Sequence, residues 1–141
     1  MEWVMIILVF LGLLFGSYFD QKSMEIPLFI SLVPIAAISV IRICRHDWTV
    51  FLCTGLLFVV GCFCMWRTSL GGADVLAICL ICLGSGVFSM IWSVLFASTG
   101  SIVYMLLAHG IKKRSLKDPY PYLPFLLFGF VLYQVLWYLG T

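Results

Sequence analysis

The sequence predicts an all-α integral membrane protein of about six transmembrane helices, the fourth of them short. Of its 141 residues, 64% are hydrophobic and 10% are charged, whereas a soluble domain carries about 25% charged residues. The charged residues fall in short polar stretches between apolar runs, most of which are long enough to cross a bilayer. Because these runs take up nearly the whole chain, residues 1–141 are expected to form a single membrane-embedded domain.

The first three apolar runs have the flanks that membrane helices favour. The first extends from Trp3 to Phe19 and is followed by a polar turn. The second, from about Pro27 to Ile43, opens with a proline, which suits the first turn of a helix, and contains Pro34, which predicts a kink. The third extends from Trp48 to Trp66, with an aromatic residue at each end, as expected at membrane interfaces.

The remaining apolar sequence predicts three more helices. The stretch from Leu70 to Ala108 is too long for one helix, and Gly84-Ser85-Gly86 predicts a break within it. The fourth helix then extends from Ala73 to about Leu83, shorter than a full span, and the fifth from Val87 to about Ala108. The sixth extends from Tyr122 to about Leu139.

Lys and Arg residues are concentrated on one side of the predicted bundle. The side that holds the turns after helices two and four has Arg42 and Arg45. The turns after helices one, three and five hold more of them: Lys22, Arg67, Lys112, Lys113, Arg114 and Lys117. The odd-numbered turns are therefore expected in the cytoplasm, with both termini outside. Asp20, after the first helix, and Asp74, at the start of the fourth, would then lie at one depth on the cytoplasmic side.

Two carboxylates at that depth predict acid–base chemistry. A close pair cannot easily ionise twice, so it keeps one proton and titrates as a unit. The charged member can activate water while the protonated member donates to a substrate carbonyl, which is peptide hydrolysis without a metal or other cofactor. Gly71 and Gly72 would let a substrate strand approach closely. In the simpler interpretation, Asp74 caps a helix and Asp20 is a membrane-edge charge beside Lys22.

The cysteines, the histidines and the basic cluster give weaker indications of a different function. The cysteines of Cys62-x-Cys64 and Cys79-x-x-Cys82 have apolar neighbours, so they are interpreted as small hydrophobic residues rather than metal or redox ligands. His46 and His109 are predicted on opposite sides of the membrane, which disfavours a serine or cysteine peptidase. The one basic cluster lacks a surrounding polar domain, so no nucleic-acid partner is expected.

Three local sequences carry a family resemblance. Asp20-x-Lys22-x-x-x-Ile26-Pro27 resembles the first motif of the type IV prepilin peptidases. Gly71-Gly72-Ala73-Asp74 resembles their second motif, Gly-x-Gly-Asp, with Ala73 in place of the second glycine; Leu76 stands where many members have lysine. Pro121-Tyr122-Leu123-Pro124 resembles the Pro-x-x-Pro that opens their last helix.

The resemblance covers the whole chain in order and implies a function. Asp20 and Asp74 would be the catalytic residues of an intramembrane aspartyl endopeptidase, supported by Lys22, Pro27, Gly71, Gly72 and Ala73. Because only a short stretch separates helix one from Pro27, the chain is similar to the compact members that lack a cytoplasmic insertion. Its partner would be a pilin-like or preflagellin-like precursor in the cytoplasmic membrane of a prokaryote. The alternative is an inactive relative, a small transporter or an assembly factor, in which the aspartates could bind protons or cations.

Overall fold

The computed structural model describes residues 2–23, 26–68, 71–112 and 120–140, and within these ranges it contains six α-helices and no β-strand. The helices are α1 (Glu2–Ser23), α2 (Leu28–Cys44), α3 (Trp48–Arg67), α4 (Gly72–Ser85), α5 (Val87–Lys112) and α6 (Leu123–Gly140). The predicted all-α class is confirmed. Helices α1, α3, α5 and α6 are long and apolar enough to cross a membrane, and α2 and α4 are shorter apolar helices. The protein is therefore a helical membrane protein.

Two helices are longer than the sequence predicted. Helix α1 continues through Asp20 to Ser23, where a polar turn was expected, and α5 continues past Ala108 to Lys112. The prediction ended both helices where charged or polar residues begin. Charged and polar residues do not by themselves end a helix, since lysine and glutamine are good helix formers. Asp20 also finds a partner at the start of α6. The other predicted boundaries lie within two residues of the observed ones, and the starts of α3 at Trp48 and of α5 at Val87 are as predicted.

Helix α4 lies at the centre of the bundle. It packs against α1, α2, α3 and α5, and eight of its residues are buried: Val75, Ala77, Cys79, Leu80, Ile81, Cys82, Leu83 and Gly84. A helix surrounded by others needs no polar face, which explains its uniformly apolar sequence. By contrast, α3, which the structure describes in full, has no buried residue and packs chiefly against α4.

Small residues set the closest helix contacts. A Cβ atom at Gly129 of α6 would meet the backbone oxygen of Ser93 on α5, and one at Gly84 of α4 would meet the side chain of Val9 on α1. Glycine at such positions lets neighbouring helices approach to backbone distance, as is common in membrane bundles. These contacts hold α4 and α6 against the long helices that flank them.

The join between α4 and α5 is a single residue. Gly86 has φ 90° and ψ 172°, a backbone conformation that residues with a side chain rarely adopt. The predicted break is thus confirmed at Gly86, while Gly84 and Ser85 remain helical. In the turn between α2 and α3, His46 is left-handed, with φ 59°.

An arginine closes the end of α4 that lies away from Asp74. Arg42 donates from Nε to the carbonyl of Leu83 at 2.9 Å and from Nη2 to that of Gly84 at 3.3 Å. Its Nη1 forms an ion pair with Asp47 Oδ2 at 2.9 Å. The carbonyls at a helix end lack partners within the helix, and a cation there also complements the helix dipole. Arg42 therefore fixes α2 to the end of α4.

Candidate active site

Asp20 lies in the last turn of α1 and is half-buried. Its Oδ2 atom accepts a hydrogen bond from the backbone N–H of Leu123, the first residue of α6, at 3.2 Å. The amino end of a helix has free N–H donors and the positive end of the helix dipole, so it favours a carboxylate. Helix α6 therefore supplies the direct partner of Asp20.

Asp74 lies in the first turn of α4 and is also half-buried. Its carboxylate accepts a hydrogen bond from the backbone N–H of Gly71, the residue that caps the helix. The backbone N–H of Asp74 in turn donates to the Gly71 carbonyl at 3.1 Å. This arrangement corresponds to half of a capping box, in which the third helical residue reaches back to the cap. The cap residue of α4 is therefore Gly71, and Asp74 contributes to the capping from within the first turn rather than as the cap itself.

The two carboxylates lie at the same end of the bundle, close enough for the charge of Asp20 to act electrostatically on Asp74. Each is held by a single backbone N–H at the start of a different helix. Two carboxylates whose charges interact can share one proton. One of them is then a base and the other an acid. The arrangement can therefore carry out general acid–base chemistry on a bound water molecule.

Tyr122 and Ser98 form a third side of this site, which the sequence interpretation did not assign. Tyr122 is half-buried immediately before α6, and its hydroxyl lies 3.3 Å from the Ser98 hydroxyl on α5. The charge of Asp74 also acts on the Tyr122 phenol. The Pro121–Pro124 motif predicted the start of α6. Its spacing does not predict that the Tyr122 hydroxyl bonds to a hydroxyl on another helix.

Among the supporting residues, Gly71 is the one in contact with a carboxylate. A Cβ atom there would lie 3.1 Å from Asp74 Oδ2. Gly72 begins α4, and a Cβ there would lie 3.1 Å from the terminal methyl of Met65 on α3. Lys22 is exposed, with its Nζ atom 5.9 Å from the centre of the Tyr18 ring.

Pro27 and Ala73 lie near the starts of α2 and α4. Pro27 caps α2, and its carbonyl accepts the N–H of Ile30 at 3.0 Å. Ala73 lines an open cavity of about 360 Å³ between α2, α3 and α4. The walls of this cavity are largely apolar and include Ile26, Leu28, Ser31, Phe58, Met65 and Gly72. It therefore places an apolar binding surface directly beside the residues that precede Asp74.

Several residues singled out from the sequence lie elsewhere. His46, in the turn after α2, and His109, in the last turn of α5, belong to opposite ends of the bundle. Cys79 and Cys82 are buried in α4, and the cysteines form no disulfide. Part of the basic loop lies outside the described residues: Lys113, Arg114, Lys117 and Asp118. Glu25, in the first polar stretch, also lies outside them.

Comparison with known proteins adds no further assignment to this geometry. No family model, no curated protein and no solved structure matches the chain. The chemical interpretation of the site is therefore carried by its own residues: two coupled carboxylates, each held at the start of a helix at the same end of a membrane bundle.

Proposed function

We propose that the chain is an intramembrane aspartyl endopeptidase that removes the leader of type IV pilin-like precursors at the cytoplasmic face of a prokaryotic cytoplasmic membrane. The observation that carries the proposal is that Asp20 on α1 and Asp74 on α4 lie at one end of the bundle, close enough for the charge of one to act on the other. An apolar cavity is lined by Ala73 and Val75, the neighbours of Asp74 in the chain. A membrane-edge carboxylate is costly unless it is paired, hydrated or functional. Acid–base hydrolysis needs two such carboxylates near each other, and here they come from two different helices.

The reaction uses the shared proton of the pair. The ionised carboxylate removes a proton from a water molecule, whose oxygen attacks the carbonyl carbon of the scissile peptide bond. The protonated carboxyl donates its proton to the carbonyl oxygen, which gives a neutral tetrahedral species. Collapse of that species transfers a proton to the leaving amine and breaks the C–N bond. The N–H donors of Leu123 and Gly71 restrict rotation of the two carboxylates and hold them ready for these transfers.

The cavity beside Asp74 supports a membrane-inserted substrate. Its walls are mainly apolar side chains of α2, α3 and α4, so they suit the hydrophobic helix of a precursor rather than a soluble peptide. With the odd-numbered turns in the cytoplasm, a leader on that side would enter the site next to Gly71 and Gly72. The pilin-like identity of the substrate follows from the motif resemblance.

The interior of the bundle favours the peptidase over a transporter. A proton or cation path would need polar groups from the aspartates to the opposite membrane face. The buried core between the two ends is mainly apolar and includes Val9, Leu13, Ile38, Leu80, Ile81, Leu126 and Phe130. Its buried polar residues, among those the structure describes, are the serines Ser17, Ser31, Ser89 and Ser93, and none of them is ionisable. This packing supports a site that opens to one side of the membrane.

Leader removal from co-expressed pilin-like precursors tests the proposal. Asp20→Asn and Asp74→Asn should each abolish cleavage, and the double variant should be no worse, because residues that act as a unit are strongly non-additive. Asp→Glu at either position should also fail, since a shift of about 1 Å can cost on the order of a hundredfold. The control is Glu2→Gln, which changes an exposed carboxylate at the other end of the bundle.

Membrane levels of each variant are measured alongside cleavage. Near-normal processing by either Asp→Asn variant at normal expression would contradict the catalytic assignment and leave the assembly-factor and transporter alternatives.

A further inference from the structure

Tyr122 makes hydrogen bonds through both its backbone carbonyl and its side-chain hydroxyl. Its backbone carbonyl accepts the N–H groups of Phe125 at 3.0 Å and Leu126 at 3.1 Å, so it defines the start of α6. Its side-chain hydroxyl lies 3.3 Å from the Ser98 hydroxyl on α5. The residue therefore ties the amino end of α6 to the neighbouring long helix.

The next N–H along the chain is the donor to Asp20. Leu123 N lies 3.2 Å from Asp20 Oδ2, and the Leu123 side chain is buried against α1, where a Cβ atom at Gly16 would lie 2.7 Å from it. Backbone geometry is stiff, so the position of this N–H follows that of the peptide unit between residues 122 and 123. Any movement of Tyr122 is therefore transmitted to the carboxylate.

We propose that Tyr122 is a positioning residue of the aspartate pair. Its hydroxyl, bonded to Ser98, fixes the start of α6 so that the Leu123 amide holds Asp20 facing Asp74. The chain of contacts runs from Ser98 on α5 through Tyr122 and Leu123 to Asp20 on α1. For its kinetic consequence the proposal rests on the peptidase function; its geometric consequence for Asp20 does not.

Removing the hydroxyls one at a time tests the proposal. Tyr122→Phe and Ser98→Ala each break the same hydrogen bond while keeping the backbone, so both should lower kcat by about tenfold or more with little change in KM. The double variant should match the single ones, and Ser98→Thr, which keeps a hydroxyl, should restore activity. The control is Tyr104→Phe, which removes another hydroxyl of α5 whose ring also contacts the start of α6 at Phe125.

An infrared measurement gives an outcome independent of cleavage. The difference spectrum between the protein and its Asp20→Asn variant, recorded in lipid bilayers, isolates the carboxyl band of Asp20. Tyr122→Phe and Ser98→Ala should shift this band, whereas Tyr104→Phe should leave it unchanged. A purely structural role for Tyr122 would change the amount of folded protein without shifting the band.

The two readouts separate the two proposals. An unshifted Asp20 band in Tyr122→Phe overturns the positioning role, whether or not the wild-type protein cleaves a precursor. A shifted band together with a wild-type protein that cleaves no precursor supports the positioning role and contradicts the peptidase function. A shifted band with a lowered kcat supports both.

Discussion

The carboxylate of Asp20 and the backbone amide of Leu123, 3.2 Å apart, join the end of α1 to the start of α6. The contact links two residues that are distant in sequence, and it uses a donor that the first turn of any helix leaves free. Asp74 is held in the same manner by the Gly71 amide. Both carboxylates of the candidate site are thus oriented by main chain rather than by cationic side chains.

Leu123→Pro should lower cleavage far more than Leu123→Ala. Proline lacks the N–H that Asp20 accepts, yet it is favoured at the first position of a helix, so α6 should still form. Alanine keeps the N–H and removes most of the buried side chain. A hydrogen bond to a charged group contributes about 1.5–3 kcal/mol, roughly tenfold or more in rate if it is needed for catalysis. Leader removal at matched membrane levels measures the difference, and equal activities would contradict this role.

Gly71→Ala should reduce cleavage more than Gly72→Ala does. A Cβ atom at Gly71 would lie 3.1 Å from Asp74 Oδ2 and displace the carboxylate. A Cβ atom at Gly72 would meet the terminal methyl of Met65 at the same distance, but that flexible side chain can move away. We expect a loss of about tenfold or more for Gly71→Ala, because small displacements at a reacting centre are costly. The same leader-removal assay applies, and the reverse order of effects would rule out this explanation.

Gly86→Ala should destabilise the fold even though its Cβ has open space. Apart from its neighbours in the chain, no atom of the described residues lies within 4 Å of that position, so the cost comes from the φ of 90°. Backbone strain of this kind costs on the order of 1–3 kcal/mol. Gly55→Ala in α3, which also has open space but ordinary helical backbone, should instead be neutral or slightly stabilising. Unfolding in a titration with denaturing detergent compares the two, and equal midpoints would refute the strain argument.

The orientation predicted from the Lys and Arg distribution can be tested by thiol labelling. Cys44 is exposed at the end of α2, and a Cβ atom at Gly110, near the end of α5, would meet no atom of the described residues within 4 Å. In variants that retain one thiol each, Cys44 should react with an impermeant reagent from outside, and Gly110→Cys only after the membrane is opened. Labelling of Gly110→Cys in intact cells would show the opposite orientation. It would then contradict a site on the cytoplasmic side.

The positions of the helices were largely predictable because they depend on residues that are close together in the sequence. Apolar runs of membrane length and the break near Gly86 depend on neighbouring residues, and the structure has helices at all six predicted places. The continuation of α1 through Asp20 was missed, because a charged residue usually marks the end of an apolar run. The partner of Asp20, Leu123, belongs to another helix, and the residues around Asp20 in the sequence do not predict that contact.

The candidate site was predictable in its carboxylates and not in its surroundings. The motifs around Asp20 and Asp74 are short and local, so the sequence could single them out. The hydrogen bond between Tyr122 and Ser98 depends on how α5 and α6 pack, and the capping of α4 by Arg42 depends on how α2 and α4 pack. Serine, tyrosine and arginine occur at many places in membrane helices and their turns, so their presence alone does not predict these contacts.

The shortness of α4 has a consequence for water inside the bundle. Its 14 residues span about 21 Å, whereas the hydrocarbon core of a typical bilayer is about 30 Å thick. Asp74 at one end of α4 and Arg42 at the other therefore lie closer together than the two headgroup layers. Lipids do not feel this short length, because α4 is enclosed by other helices, among them α1, α3 and α5, which are long enough to span the membrane. Water must therefore enter between those helices to reach the polar groups at either end of α4.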